Sequence, residues 1–236
     1  LRERHRAFPA IFENRGHHKI LDVAAGMGYT VMPIQEKYNG KVFCNDLSPT
    51  CLKNLKAAGF PAMRFTLDQD KAGFPIESRS FDAVIATSTI EHILEVDGFV
   101  EEVNRILKED GYFYVSAPNY MGLMYLLPAL WSGKTFHDPL DPHTRYEFYG
   151  HVRYFTYRSL LEYVSQFGFI AEAVYLLTPR SSDIYQKMVH NSPLKAFLYR
   201  WGMTLLYKLS PRWASEPILC FKKTTQKQST LRRVIL

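Results

Sequence analysis

A chain of 236 residues, 47% of them hydrophobic, can bury a large α/β core and is too apolar for wholesale disorder. Its net charge of +6 and pI near 9.1 permit an anionic partner, but the charge is not striped. With no RNP signature and no zinc-finger spacing either, no nucleic-acid partner is expected. Three cysteines, Cys44, Cys51 and Cys220, form no metal-ligand spacing and suit a reducing compartment, so a cytoplasmic location is expected.

Residues 2–13 mix charged and apolar side chains like a surface helix. The apolar run "KILDVA", residues 19–24, reads as a buried strand that ends in a loop with glycines at Gly26 and Gly28. Residues 30–38 are predicted to be the following helix, and 41–46 ("KVFCND") a second strand. Ser48-Pro49 supplies an N-cap with proline at the first helical position, opening a helix through residue 58. Strands are predicted at 61–67, 81–87 and 111–117, with a helix at 98–108 whose Phe99, Val103, Ile106 and Leu107 share one face. This alternation is the mark of a parallel sheet covered on both faces. After Pro118 the rhythm changes. Residues 120–150, rich in aromatics, His and Pro, read as a lid. A helix at 157–168 and strands at 169–177 and 216–222 follow, with an apolar insertion between those strands. The expected fold is α/β, with a Rossmann-like, seven-stranded, mostly parallel sheet. It would be one domain with core 14–119 and 151–223, lid 120–150, helical insertion 184–213 and basic tail 222–236.

Ligands of such sheets bind beyond the carboxyl ends of the strands. After the first strand stand Gly26 and Gly28. A dinucleotide loop would carry a third glycine at position 31, which here is Val31. After the second strand comes Asp46, whose carboxylate can accept from both hydroxyls of a ribose and would repel a phosphate there. Asp68 and Asp70 follow the third strand, where an acid can accept from an adenine amino group. Thr87, Ser88, Glu91 and His92 follow the fourth.

The stretches "ILDVAAGMG", "NDLSP", "FPIESRSFDAVIATSTIEHI" and "EEVNRILKEDGYFYVSAPN" resemble class I S-adenosylmethionine-dependent methyltransferases, in particular the small ubiquinone-biosynthesis type. The resemblance spans residues 19–119 and returns faintly in "HVRYFTYRSLLEYVSQFGF". It implies S-adenosyl-L-methionine as cofactor and S-adenosyl-L-homocysteine as product. It implies that Asp22, Gly26 and Gly28 line the methionine end, that Asp46 binds the ribose, and that Asp68 with Leu67 and Gln69 frames the adenine. Ala24, Leu47 and Thr87 complete the expected cofactor set. Two departures stand out. Ala24 occupies a position that is often glycine in the family, and the stretch before Phe74-Pro75 is about one residue longer, so Asp68 and Asp70 compete for the adenine role.

His92 is the candidate general base, because it follows the fourth strand and histidine suits proton transfer near neutral pH. Capping the helix that follows is the equally weighted structural role. Glu91 with His92 also matches a pair that some family members use for a divalent ion, but two ligands do not make a site, and no metal is expected. His137, His143, His151 and Tyr154 are expected to help hold the substrate, with Asp138 and Asp141 shaping turns before prolines. In the second insertion, Leu194, Phe197, Leu198, Trp201, Leu205 and Leu209 fall at helical spacing among basic residues. Covering the sheet or pocket is the favoured role of that helix; peripheral membrane contact through 194–213 is the alternative. The tail "KKTTQKQSTLRRVIL" is expected to be disordered. The expected function is methyl transfer to a small-molecule or lipid-like acceptor, with oxygen as the preferred atom. A non-catalytic cofactor-binding or scaffold protein is the competing reading.

Overall fold

The computed structural model describes residues 3–39, 41–68, 73–133, 139–142, 145–180, 183–224 and 231–236. One sheet carries the fold, with strand order β3-β2-β1-β4-β5-β7-β6-β8. The strands are β1 (Ile20–Asp22), β2 (Val42–Asn45), β3 (Ala62–Met63), β4 (Phe81–Thr87), β5 (Leu107–Ser116), β6 (Phe169–Leu176), β7 (Ile218–Lys223) and β8 (Arg232–Ile235). The first five run parallel, and β7 is antiparallel to both β5 and β6. The chain order reverses between β1 and β4, which makes their carboxyl ends the switch point where a crevice opens.

Among the described residues eight α-helices accompany the sheet: α1 (Phe8–Ile11), α2 (Pro49–Ala57), α3 (Val96–Ile106), α4 (Leu123–Ser132), α5 (Arg145–Gly150), α6 (Tyr157–Val164), α7 (Asp183–Asn191) and α8 (Pro193–Leu209). Alternate strand residues face opposite layers, as the pleat requires. Val84, Ala86, Phe113 and Val115 pack with Phe99 and Val103 of α3 in one apolar layer. Ala83, Ile85 and Tyr114 pack with Phe8, Phe12 and Leu55 in the other. The predicted face of α3 is therefore the buried one, and fully burying a Phe such as Phe99 contributes about 1.5–3 kcal/mol.

Four expectations are corrected. The basic tail is not wholly disordered: β8 pairs with β6 in parallel, and Thr178 N–H donates to the Leu236 carbonyl at 2.9 Å. This eighth strand covers an edge that β6 would otherwise leave open. The helix predicted over 30–38 shrinks to a 3-10 turn, Met32–Ile34, because Pro33 has no N–H for the regular ladder. The third strand pairs only through Met63. Beyond it the Asn45 side chain donates Nδ2–H to the Phe65 carbonyl at 2.8 Å, in place of a ladder bond. The N-terminal helix is not a surface element: α1 buries Phe8 and Ile11, and the following Phe12 packs edge-on against Tyr114.

Candidate cofactor and active site

The loop after β1 is built by the strands beside it. Val23 N–H donates to the Ile85 carbonyl and Ala25 N–H to the Asn45 carbonyl, both at 2.9 Å, which fixes the loop between β2 and β4. Ala24, Gly26 and Gly28 all lie at positive φ, +51°, +56° and +82°. The two glycines serve different needs. A Cβ on Gly28 would lie 2.9 Å from Leu55 Cδ2, so this glycine lets the loop pack against α2, whereas a Cβ on Gly26 would meet nothing within 4 Å. Asp46, just past β2, ties the loop down. Its Oδ2 accepts from Gly26 N–H at 2.7 Å and its Oδ1 from Ser48 N–H at 2.8 Å. Ser48 accepts from Cys51 N–H and caps α2 as predicted.

A cavity of about 180 Å³ opens at this loop. Asp22, Ala24, Gly26 and Thr87 of the expected residues line it, whereas Asp46, Leu47, Leu67 and Asp68 lie outside the lining. Asp22 is buried, and its Oδ2 has no hydrogen-bond partner among the described residues. Burial, and secondarily the Asp46 charge, hold its carboxyl well above the usual carboxylate range. A buried carboxyl with a spare lone pair beside an open cradle fits a cationic ligand group. An amine-bearing sulfonium such as S-adenosylmethionine meets that requirement.

Sequence reasoning missed the other side of this cavity. Arg4, His5, Tyr29 and Ser88 line it too, and the His5 and Tyr29 rings lie 5.5 Å apart. Arg4 pairs with Glu216 at 2.6 Å, and Glu216 also accepts from the Ser88 and Ser116 hydroxyls at 2.5 and 2.9 Å. Arg4 and Glu216 are 212 positions apart, so no local signal could join them.

Asp68 follows the third strand as expected, but its oxygens are engaged: Leu94 N–H donates at 3.0 Å and Glu95 N–H at 2.7 Å. It thereby fastens the start of α3. Leu67 is buried and Leu47 exposed. Gln69 and Asp70 lie outside the described residues.

The segment after β4 turns through a 3-10 helix, Ile90–His92. The Glu91 side chain is fully buried, and its main-chain carbonyl accepts from Val152 and Arg153 N–H. This brings His151 beside His92, with their rings edge-on at 4.7 Å. His92 Nδ1–H donates to the Gly150 carbonyl at 2.8 Å, which leaves Nε2 with the lone pair when the ring is neutral. Glu91, His92 and His151 each present a ligand atom within 4.8 Å of the others, so a divalent ion could be held there by a carboxylate and two imidazoles. His151 Nδ1 bonds the Tyr120 hydroxyl at 2.9 Å, and the Tyr120 and Tyr154 rings meet at 4.9 Å. Two of the expected substrate residues thus gather around Tyr120. The other two, His137 and His143, lie outside the described residues. Asn119, just before residues 120–150, gathers the chain on their far side: its Oδ1 accepts from Met121 N–H and from Tyr157 N–H at the start of α6, while its Nδ2 donates to the Ala214 carbonyl.

The family described as "Methyltransferase domain" matches residues 21–115. The mouse protein named arginine-hydroxylase NDUFAF5, mitochondrial, is 26% identical over 93 residues, covering 39% of this chain and 26% of its own length. The malonyl-[acyl-carrier protein] O-methyltransferase of Geobacter sulfurreducens is 29% identical over 97 residues, covering 40% of this chain and 36% of its own. The chain thus spans about a quarter to two fifths of the length of the curated relatives it matches. A chain from the complex between the Haloferax volcanii Trm112 methyltransferase activator and its methyltransferase superposes with a TM-score of 0.64 at 17% identity, covering 97% and 92% of the two chains. That likeness establishes the fold.

Proposed function

We propose that this protein, whose residues 21–115 match the family described as "Methyltransferase domain", transfers a methyl group from S-adenosylmethionine to a small-molecule or lipid-like acceptor at oxygen. The observation that carries the reading is Asp22, a buried carboxyl that lines the cavity of the glycine loop and whose Oδ2 has no hydrogen-bond partner among the described residues. When bound, the cofactor supplies a methyl carbon already activated by its sulfonium. Asp22 would accept from the cationic methionine end, the Ala24–Gly28 backbone would give close approach, and Asp46 and Asp68 would serve the ribose and adenine through the lone pairs that their backbone contacts leave free. His92 acts through Nε2, with its ring oriented by the Gly150 carbonyl. There it would take the proton of an acceptor hydroxyl and leave the oxygen free to meet the activated methyl carbon. Much of the remaining rate enhancement is positioning and exclusion of water, which the lid segment would supply.

A second reading has one observation in its favour. Both oxygens of Asp46 and both of Asp68 already accept backbone N–H groups, as in a protein that keeps the fold without turning over. Calorimetry distinguishes the two first: S-adenosylmethionine or S-adenosylhomocysteine binds and NAD does not. A mass-spectrometric screen for acceptors that gain a methyl group then tests transfer. Comparable NAD binding, or cofactor binding with no methylated product from any acceptor pool, would sink the enzymatic proposal.

A further inference from the structure

Helix α8 has two apolar faces, and only one of them is used. Ala196 and Tyr207 are buried, and Met203 and Leu206 pack against the core. At 100° per residue, Leu194, Leu198, Trp201, Leu205 and Leu209 form a stripe on the opposite side. Leu194, Trp201 and Leu209 are 68%, 60% and 69% exposed, and Phe197 beside them is 63% exposed. The stripe is therefore neither a cover for the sheet nor a wall of the pocket, the roles that the sequence favoured. Contiguous exposed apolar surface of this kind marks an interaction site.

The charges name the occupant. Lys195, Arg200 and Lys208 flank the stripe, all exposed, and no acidic residue occurs between Pro193 and Leu209. Two copies meeting through this face would bring like charges together with no acid on the helix to answer them. An anionic bilayer surface answers both features, since it takes Leu and Trp at the headgroup boundary and attracts Lys and Arg. With 17 residues, and basic residues interrupting it, α8 is not long or apolar enough to cross a membrane. We propose that α8 lies flat on anionic membrane surfaces and docks the protein there, through a surface separate from the cavity at the glycine loop.

The test uses the whole chain and sedimented vesicles, either pure phosphatidylcholine or three parts phosphatidylglycerol to seven of phosphatidylcholine. Binding is expected to favour the anionic vesicles at least tenfold and to fall as salt screens the surface. Leu198→Glu with Leu205→Glu is expected to reduce it at least tenfold. Lys195→Gln and Lys208→Gln are each expected to reduce it about fivefold, the effect of roughly 1 kcal/mol per basic residue at an anionic surface. Both leucines are exposed, so circular dichroism and the urea midpoint should match wild type and separate lost docking from lost fold. A direct reading comes from a protein carrying Trp131→Phe and Trp213→Phe, in which brominated lipid chains should quench the remaining Trp201. The proposal is overturned if anionic vesicles leave the protein in solution, if Trp201 is not quenched, or if the folded double-Glu variant binds like wild type. It is also overturned if sedimentation reveals a dimer that the same variant dissolves, which would assign the stripe to a second copy.

Discussion

Asp22→Asn separates the stability of the empty protein from its capacity to bind a cofactor. In the folded chain the Asp22 carboxyl is buried, lacks a partner for Oδ2 among the described residues, and holds its proton well above the usual range because of that burial and of Asp46. An unfolded Asp titrates near 3.9. Above that pH the unfolded chain releases a proton that the folded chain keeps, so wild-type stability falls as pH rises toward the folded value. Asn carries no such proton. At neutral pH the variant should be more stable, by roughly 1.4 kcal/mol for each pH unit between the unfolded value and the raised folded one, or roughly 2–4 °C in midpoint per kcal/mol. Near pH 4 the advantage should vanish. Cofactor affinity should move the other way, weakening roughly 10- to 100-fold through loss of a charge-assisted contact of ~1.5–3 kcal/mol. Urea unfolding at several pH values and calorimetry with S-adenosylhomocysteine measure the two effects. A stability difference that does not change with pH would mean that the carboxyl is ionised and paired. Unchanged affinity would mean that the cavity at Asp22 is not where the cofactor binds.

Asp46→Ala should weaken cofactor binding roughly 10- to 100-fold, as measured by calorimetry, and should loosen the glycine loop because Gly26 N–H loses its acceptor. His92→Asn should keep the fold and cofactor affinity but lower turnover by about 10²–10⁴ once an acceptor is known; unaltered turnover would leave the residue the structural role of holding the Gly150 carbonyl, since the capping role expected from the sequence is not the one it takes. Burial, and then the Arg15 charge, push the His17 imidazole down to about 4, so stability should be lost as pH falls from about 6.5 through that value. The loss should amount to about 3 kcal/mol, and unfolding of His17→Asn should be nearly flat over the same interval. Ala24→Gly should stabilise the protein by about 0.5–1 kcal/mol in chemical denaturation. Relief of a left-handed alanine at ~1–2 kcal/mol outweighs the extra chain entropy of glycine.

Local chemistry determined much of this protein. Apolar runs of four to seven residues, such as "FDAVIAT", became strands because each is buried on both faces of a parallel sheet. Ser48-Pro49 started a helix because cap and proline act within one turn. The glycine loop and the acids after the strands were legible for the same reason, since a βα turn and its residues are adjacent in the chain. Tertiary structure decided what depends on residues far apart. Asp46 and Asp68 were readable as acids, but only the fold engages their oxygens with Gly26, Ser48, Leu94 and Glu95 N–H groups. Gly28 reads as an open approach to a ligand until Leu55 is set 2.9 Å from where its Cβ would be. Residues 30–38 had a helical pattern but lost the helix at a proline, and a polar tail gained a strand because β6 offered an unpaired edge. Arg4 reached Glu216, and His92 reached His151, across folds of the chain that no spacing encodes. Periodicity and turn chemistry act over a few residues and are written in the sequence. Hydrogen-bond partners and burial belong to the packed chain, and they decide which of the legible residues are free to meet a ligand.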